Sequence, residues 1–279
     1  MPRIRTIALL WTVATMAAVH GAHAGIVAQV APVRYSVTAT PGEPAIRDIL
    51  ISNQGTDPVV VKVRLSDWTL SQAGEMVLVP AGSTANSLEG KVDFEPAEFS
   101  LGAHESGHIK VRLQMPADGP ATLWGVLLSE VRPAVFRPVR FGPRAIAEMG
   151  TTIYLSRVAA ERIWPEVTGL DIRPAGGDSI SIMLRMHNAG ERHFYVAGDV
   201  AIADSNRTVV STGSFGSGVV LSGGIRYFHW AELAGLAPGR YLVTATLDTG
   251  EPELTVGEAS FTWPMPAAAT LPLANNPPR

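Results

Sequence analysis

The sequence predicts an all-β chain built as two immunoglobulin-like β-sandwich domains in tandem after a signal peptide. Three observations carry this. Stretches in which apolar and polar residues alternate recur about every 8–12 residues, with Gly, Pro, Asn and Asp between them, as half-buried antiparallel strands require. Convincing amphipathic helices are absent, and residues 159–164 form the one short helix candidate. The 279 residues, less a short leader, suit two domains of about 100–150 residues each.

The leader is residues 1–24. Arg3 and Arg5 form a basic start and residues 7–19 an apolar run. Ala22-His23-Ala24 supplies the small-x-small pattern that signal peptidase reads, with cleavage expected after Ala24. The apolar run falls short of the roughly 20 residues of a spanning helix, and no later segment reaches that length. The mature chain is therefore expected to be periplasmic, with no membrane insertion after cleavage.

The first sandwich is expected over residues 25–158. Residues 34–40 read as a strand closed by Pro41-Gly42, and 45–53 as the next, ending in Asn53-Gln54-Gly55-Thr56-Asp57-Pro58. Over 59–70, Val59, Val61, Val63 and Leu65 share one face, and Lys62, Arg64 and Ser66 the other, which fixes the register. Residues 74–79, 92–94 and 99–101 are short strands around a polar loop at 81–90. Ile109, Val111 and Leu113 alternate along 107–115. The mostly apolar run 122–131 reads as a central strand covered on both faces. A Pro/Arg-rich connection at 133–143 leads to a closing strand at 146–158.

A linker at 159–165 precedes a second sandwich over 166–264, with strands at 167–172, 179–187, 194–203, 208–211, 219–221, 226–230, 240–248 and 259–263. Gly213 to Gly218 reads as a mobile hairpin. Residues 265–279 are Pro/Ala-rich and read as a disordered tail. The halves share no residue-level repeat.

Composition narrows the function. Without Arg3 and Arg5 the chain carries 20 basic and 25 acidic residues, a net charge of −5 with no basic block, so nucleic acid is not an expected partner. Absence of cysteine excludes disulfides, a thiol nucleophile and thiolate metal sites. No nucleophile elbow, zinc-protease helix, P-loop or dinucleotide fingerprint occurs, so no enzyme, catalytic residue or cofactor is expected. His104 and His108 have metal spacing only on a helix, and they flank a turn. His187, His193 and His229 read as solvated or hydrogen-bonded side chains. Asp199, Asp204 and Asn206 lack the glycine and distal glutamate of a calcium loop, leaving a plain Asx turn. Asn206-Arg207-Thr208 has the form of a glycosylation acceptor, a match frequent by chance. Trp68, Trp124, Trp230 and Trp263 lie on strands, where packing is the default role.

Three stretches of the first domain carry a resemblance. They are Ile49-Leu50-Ile51-Ser52-Asn53 with Pro58-Val59-Val60-Val61-Lys62-Val63; Phe99-Ser100-Leu101 with His108-Ile109-Lys110-Val111-Arg112-Leu113; and Leu123-Trp124-Gly125-Val126-Leu127-Leu128-Ser129-Glu130-Val131-Arg132-Pro133. In that order they resemble the N-terminal domain of PapD-like periplasmic pilus-assembly chaperones, over about residues 34–157. The resemblance implies a protein that caps an incomplete pilin-like or other secreted subunit by lending it a strand, with an outer-membrane usher as a further partner. It points to the closing strand, where Ala145, Ala147, Met149, Thr151, Ile153 and Leu155 form one row. That row either meets the subunit or, at Ile153 and Leu155, packs into this domain's own core. The resemblance also implies a charge-assisted clamp on the subunit's terminal carboxylate, made by an Arg on the first strand and a Lys on the closing strand. Arg34 matches the Arg. No Lys occurs between Thr151 and Val158, and Arg157 stands just past the expected place. The expected subunit-binding residues are thus Arg34, Arg157, Met149, Thr151, Ile153 and Leu155. The alternative is an immunoglobulin-like structural or adhesion module of the cell envelope.

Overall fold

The structure is a computed structural model that describes residues 26–134, 146–158, 163–176, 179–233 and 235–265. The expected signal peptide, most of the 133–143 connection, residues 159–162 and the tail beyond 265 lie outside the described residues. Among those described, every regular element is a strand.

The first sandwich contains β1 (Ala28–Ala31), β2 (Arg34–Ala39), β3 (Pro44–Asn53), β4 (Val59–Leu70), β5 (Met76–Pro80), β6 (Val92–Glu95), β7 (Glu98–Leu101), β8 (Ser106–Gln114), β9 (Thr122–Pro133) and β10 (Ala147–Arg157). One sheet runs β1-β3-β8-β6. The other runs β2-β10-β9-β4-β5, with β7 pairing one end of β4. The period-2 patterns set the inner faces. Ile49, Ile51, Val61, Ile109, Val111, Leu113, Ile153 and Leu155 are all at most 1% exposed and form one core between the sheets. Each such side chain contributes about 1.5–3 kcal/mol of burial.

β1 was not expected, because Pro32 interrupts the run and the strand before it is only four residues long. It pairs β3, after which the chain crosses to the opposite sheet and continues as β2, parallel to β10. The polar loop after β5 is tied down through Asp67. This fully buried carboxylate accepts hydrogen bonds from Thr84 N at 3.0 Å, Thr84 Oγ1 at 3.1 Å and Ser87 Oγ at 2.7 Å. Leu88, the loop's apolar residue, then plugs the core at 0% exposure.

The second sandwich contains β11 (Pro165–Gly176), β12 (Ser179–Asn188), β13 (Phe194–Asp204), β14 (Val209–Val220), β15 (Ile225–Leu233), β16 (Gly239–Asp248) and β17 (Thr255–Trp263). Its sheets are β11-β12-β15 and β14-β13-β16-β17. One expectation is corrected here. Gly213 to Gly218 is no hairpin but the middle of β14, paired with β13 through a register shift opposite Gly198/Asp199. The glycines serve close packing: a Cβ on Gly213 would fall 2.2 Å from Trp230 Nε1. Gly216, at φ +76°, makes the irregularity.

Candidate functional site

β10 is half covered. From Thr152 to Arg157 it pairs β2 on one side, and along nearly its whole length it pairs β9 on the other. Thr152 N donates to Val33 O at 3.0 Å, and Val158 N to Ala39 O at 3.1 Å, so even-numbered amides point toward β2. Arg157 N donates to Ala121 O at 2.9 Å, beyond the start of β9, so odd-numbered amides point the other way. By that alternation the N–H and C=O of Glu148 and Gly150 face outward where β2 has not yet begun. No described strand pairs them on that side. Among the described residues this leaves a short unpaired stretch of sheet edge, beside which the chain passes from β1 to β2.

The side chains along this stretch follow the same parity. Ile153 and Leu155 are fully buried in the core of their own sandwich. Thr151 is 1% exposed, and its hydroxyl donates to Pro32 O at 2.7 Å. Ala147 and Met149 are half-buried and pack on the rim of the same core. The expected row is therefore a continuation of the core that emerges at the open edge. Beside that edge Ile146 is 59% and Val33 66% exposed. Glu148 on the other face pairs with Arg64 at 2.7 Å, both in solvent.

The opposite face of the same sheet meets the second sandwich. Trp68, Trp124, Val126, Leu128 and Tyr154 cluster with Leu221, and Tyr195 and Val219 pack against them. Tyr154 and His193 stack with ring centroids 3.9 Å apart, Tyr195 stands edge-on to both, and Trp68 is edge-on to Tyr154. Burial, followed by the hydrogen bond with Tyr195, holds the Tyr154 hydroxyl far above the usual phenol range. Burial, then Arg192 and Arg34, push His193 down to about 4, and its Nδ1 has no partner. Two backbone acceptors add to the join: Tyr227 N donates to Gln72 O at 2.7 Å, and Thr122 Oγ1 to Glu191 O at 2.9 Å.

Arg34 and Arg157 do not meet. Arg34 lies level with Thr152 and Arg157 level with Ala39, so about 16 Å of ladder separates them at 3.3 Å per residue. The Arg34 guanidinium sits 3.9 Å from the centroid of the Tyr195 ring, a cation–π contact between the sandwiches. Arg157 donates to Gly119 O at 3.3 Å and Pro116 O at 3.5 Å, while its Nε is buried without a partner. It lines a cleft of about 330 Å³ together with Asn86, Thr122, Glu191 and Ser222.

Histidine chemistry is slight. His104 and His108 are both exposed, and no group of three acidic or His side chains among the described residues could hold a metal. His187 pairs with Glu166 at 3.0 Å and His229 with Ser181 at 2.7 Å. Asp204 accepts from the amides of Asn206 and Thr208, the Asx turn that the spacing implied. Sequence reasoning missed the open backbone of Glu148 and Gly150, because side-chain pattern does not say where a neighbouring strand stops. It also missed the Tyr154–His193–Tyr195 join. The signal available was Tyr154, a large aromatic on the face away from the core.

No protein-family model matches the chain, and no curated protein matches it. The solved structures similar to the chain include several that contain chaperones. The CsuC–CsuE chaperone–tip adhesion subunit complex from archaic chaperone-usher Csu pili of Acinetobacter baumannii aligns at 10% identity and TM-score 0.47, over 83% of this chain and 97% of that one. The CupB2 chaperone of Pseudomonas aeruginosa aligns at 12% and 0.45, over 82% and 98%. The SafA pilin–SafB chaperone complex of Salmonella enterica aligns at 11% and 0.44, over 85% and 96%. Likeness at this level carries no argument about activity, so the functional reading rests on the chain's own edge and core.

Proposed function

We propose that this chain is a periplasmic chaperone-like protein that binds an extended segment of a secreted or pilus-type subunit along the open half of β10. The observation that carries the reading is the outward backbone of Glu148 and Gly150, which lies beside a core row emerging at Met149. A strand added there gains main-chain hydrogen bonds from the edge, and its alternate side chains complete the rim of the core. In this reading Met149 meets the client, and Thr151, Ile153 and Leu155 anchor the row from within. Arg157, facing the cleft between the sandwiches, is the cation placed to take an acidic group of the client, while Arg34 holds the second sandwich through Tyr195.

The test is co-purification of the mature protein with subunits from its own host, comparing wild type, Glu148→Pro and Glu148→Ala. Proline at 148 deletes an amide that has no described ladder partner, so the fold tolerates it as it tolerates proline at any sheet edge. Alanine removes only the exposed ion pair with Arg64, worth at most about 1 kcal/mol. A subunit should come down with wild type and Glu148→Ala and be lost with Glu148→Pro. Equal recovery with all three, or no subunit with any, would overturn the proposal and favour a structural module of the envelope.

A further inference from the structure

The sheet that ends at β2 and β10 on one side ends at β5 on the other. β5 is Met76-Val77-Leu78-Val79-Pro80, with no charged residue, and it pairs β4 alone. Three consecutive apolar residues are exposed on it: Met76 at 47%, Val77 at 52% and Leu78 at 43%. An apolar edge of this kind, free of lysine and of inward charge, pairs with another strand unless something covers it. Nothing described pairs its outer side.

The hydrogen-bonding phase of β5 can be read from its turn. Ser71 N donates to Glu75 O at 2.9 Å, which makes Ser71 and Glu75 a hydrogen-bonded pair. Alternation along the register then makes Thr69–Val77 and Asp67–Val79 hydrogen-bonded pairs as well. The amides and carbonyls of Met76 and Leu78 therefore point away from β4. Pro80, the next residue in that phase, has no N–H to offer.

These groups are complementary to themselves. In an antiparallel pairing about a two-fold axis at Val77, Met76 of one chain faces Leu78 of the other, and all four outward donor and acceptor groups of each strand are used. Val77 meets its own copy in the close, non-hydrogen-bonded position. Glu75 faces Val79, so no like charges oppose each other, and Pro80 lies at the ribbon's end. We propose that β5 is a homodimerisation edge, at which two copies of the chain join their sheets through an isologous ribbon centred on Val77. A five-residue ribbon buries less than the roughly 800 Å² per partner of a standard interface, so the dimer is weak and concentration-dependent. Because β10 is at the far edge of the sheet, each copy keeps that edge open.

Sedimentation of the mature chain over a range of concentrations tests this, with Val77→Lys, Val77→Glu and their equimolar mixture. The wild type should shift from monomer toward dimer mass as concentration rises. Each variant alone should stay monomeric, since two like charges would face each other across the axis. The mixture should recover dimer, because opposite charges then face. A second reading needs no charge on the strand. The chain has no cysteine, so Val77→Cys supplies a single thiol. Residues in a non-hydrogen-bonded pair lie about 4.5 Å apart at Cα, within disulfide reach. Oxidation should link Val77→Cys into covalent dimers faster than Val256→Cys, whose thiol sits exposed on the second sandwich. A wild type that stays monomeric throughout, a dimer indifferent to Val77→Lys, or equal cross-linking at both cysteines would overturn the proposal.

Discussion

Tyr154 and His193 face each other across the join of the two sandwiches, each from a strand or turn of a different core. His193 is 7% exposed, and burial, Arg192 and Arg34 all oppose its protonation. Its folded value of about 4 lies below the ordinary 6.5 of an unfolded chain. Between those values the unfolded chain binds a proton that the folded one refuses. Stability is therefore full above about pH 6.5 and declines as pH falls toward 4, by something of the order of 3 kcal/mol from this residue. Below pH 4 both states are protonated and the contribution is flat. His193→Phe keeps the stack and removes the titration, so its denaturation midpoint should change less between pH 7 and 4.5 than that of wild type. Parallel pH profiles for the two proteins would contradict this. At this scale the sequence was partly legible. Trp68 and Trp124 were expected to be buried and are, but at the join and not in a domain core. Alternation says that a side chain is on the second face and is silent on which body covers that face. Arg34 and Arg157 were placed on strands from the sequence; their separation comes from register, which one sequence does not display.

Single elements show where pattern succeeds and where it stops. β9 read as a central strand covered on both faces, and it is: Leu123, Leu127 and Val131 face the core, and Trp124, Val126 and Leu128 face the second sandwich. The glycine-rich stretch of β14 read as a hairpin because glycine weakens strands and favours turns. It is held in the sheet by pairing with β13, and glycine is suited at Gly213 and Gly218 because Trp230, and Arg226 with Phe228, come close to where a Cβ would stand; both causes depend on residues beyond the stretch. The loop between β5 and β6 has no pattern of its own, and it is fixed from outside by the Asp67 carboxylate. Asp67→Asn turns part of that acceptor into a donor facing the Thr84 and Ser87 donors. It should lower stability by about 2 kcal/mol in urea denaturation, as loss of buried hydrogen bonds to a charged group does. A change under 0.5 kcal/mol would show that the loop is not held through Asp67.

At the scale of the whole molecule, the two-sandwich plan was the most legible feature, because each strand carries its own alternation and each turn its own Gly, Pro or Asn. The candidate site was less so. The sequence pointed to β10, and the proposed site lies on that strand where β2 has not yet begun, which leaves Glu148 and Gly150 without a described ladder partner on that side. The central claim is that a client strand adds at those residues. Residue-resolved amide hydrogen exchange tests it most directly, on the chain alone and with a co-purified subunit bound. In the free chain Met149 and Thr151, paired to β9, should exchange slowly while Glu148 and Gly150 exchange fast. In the complex Glu148 and Gly150 should become protected to match their neighbours. A bound subunit that leaves Glu148 and Gly150 exchanging as fast as before would contradict the account.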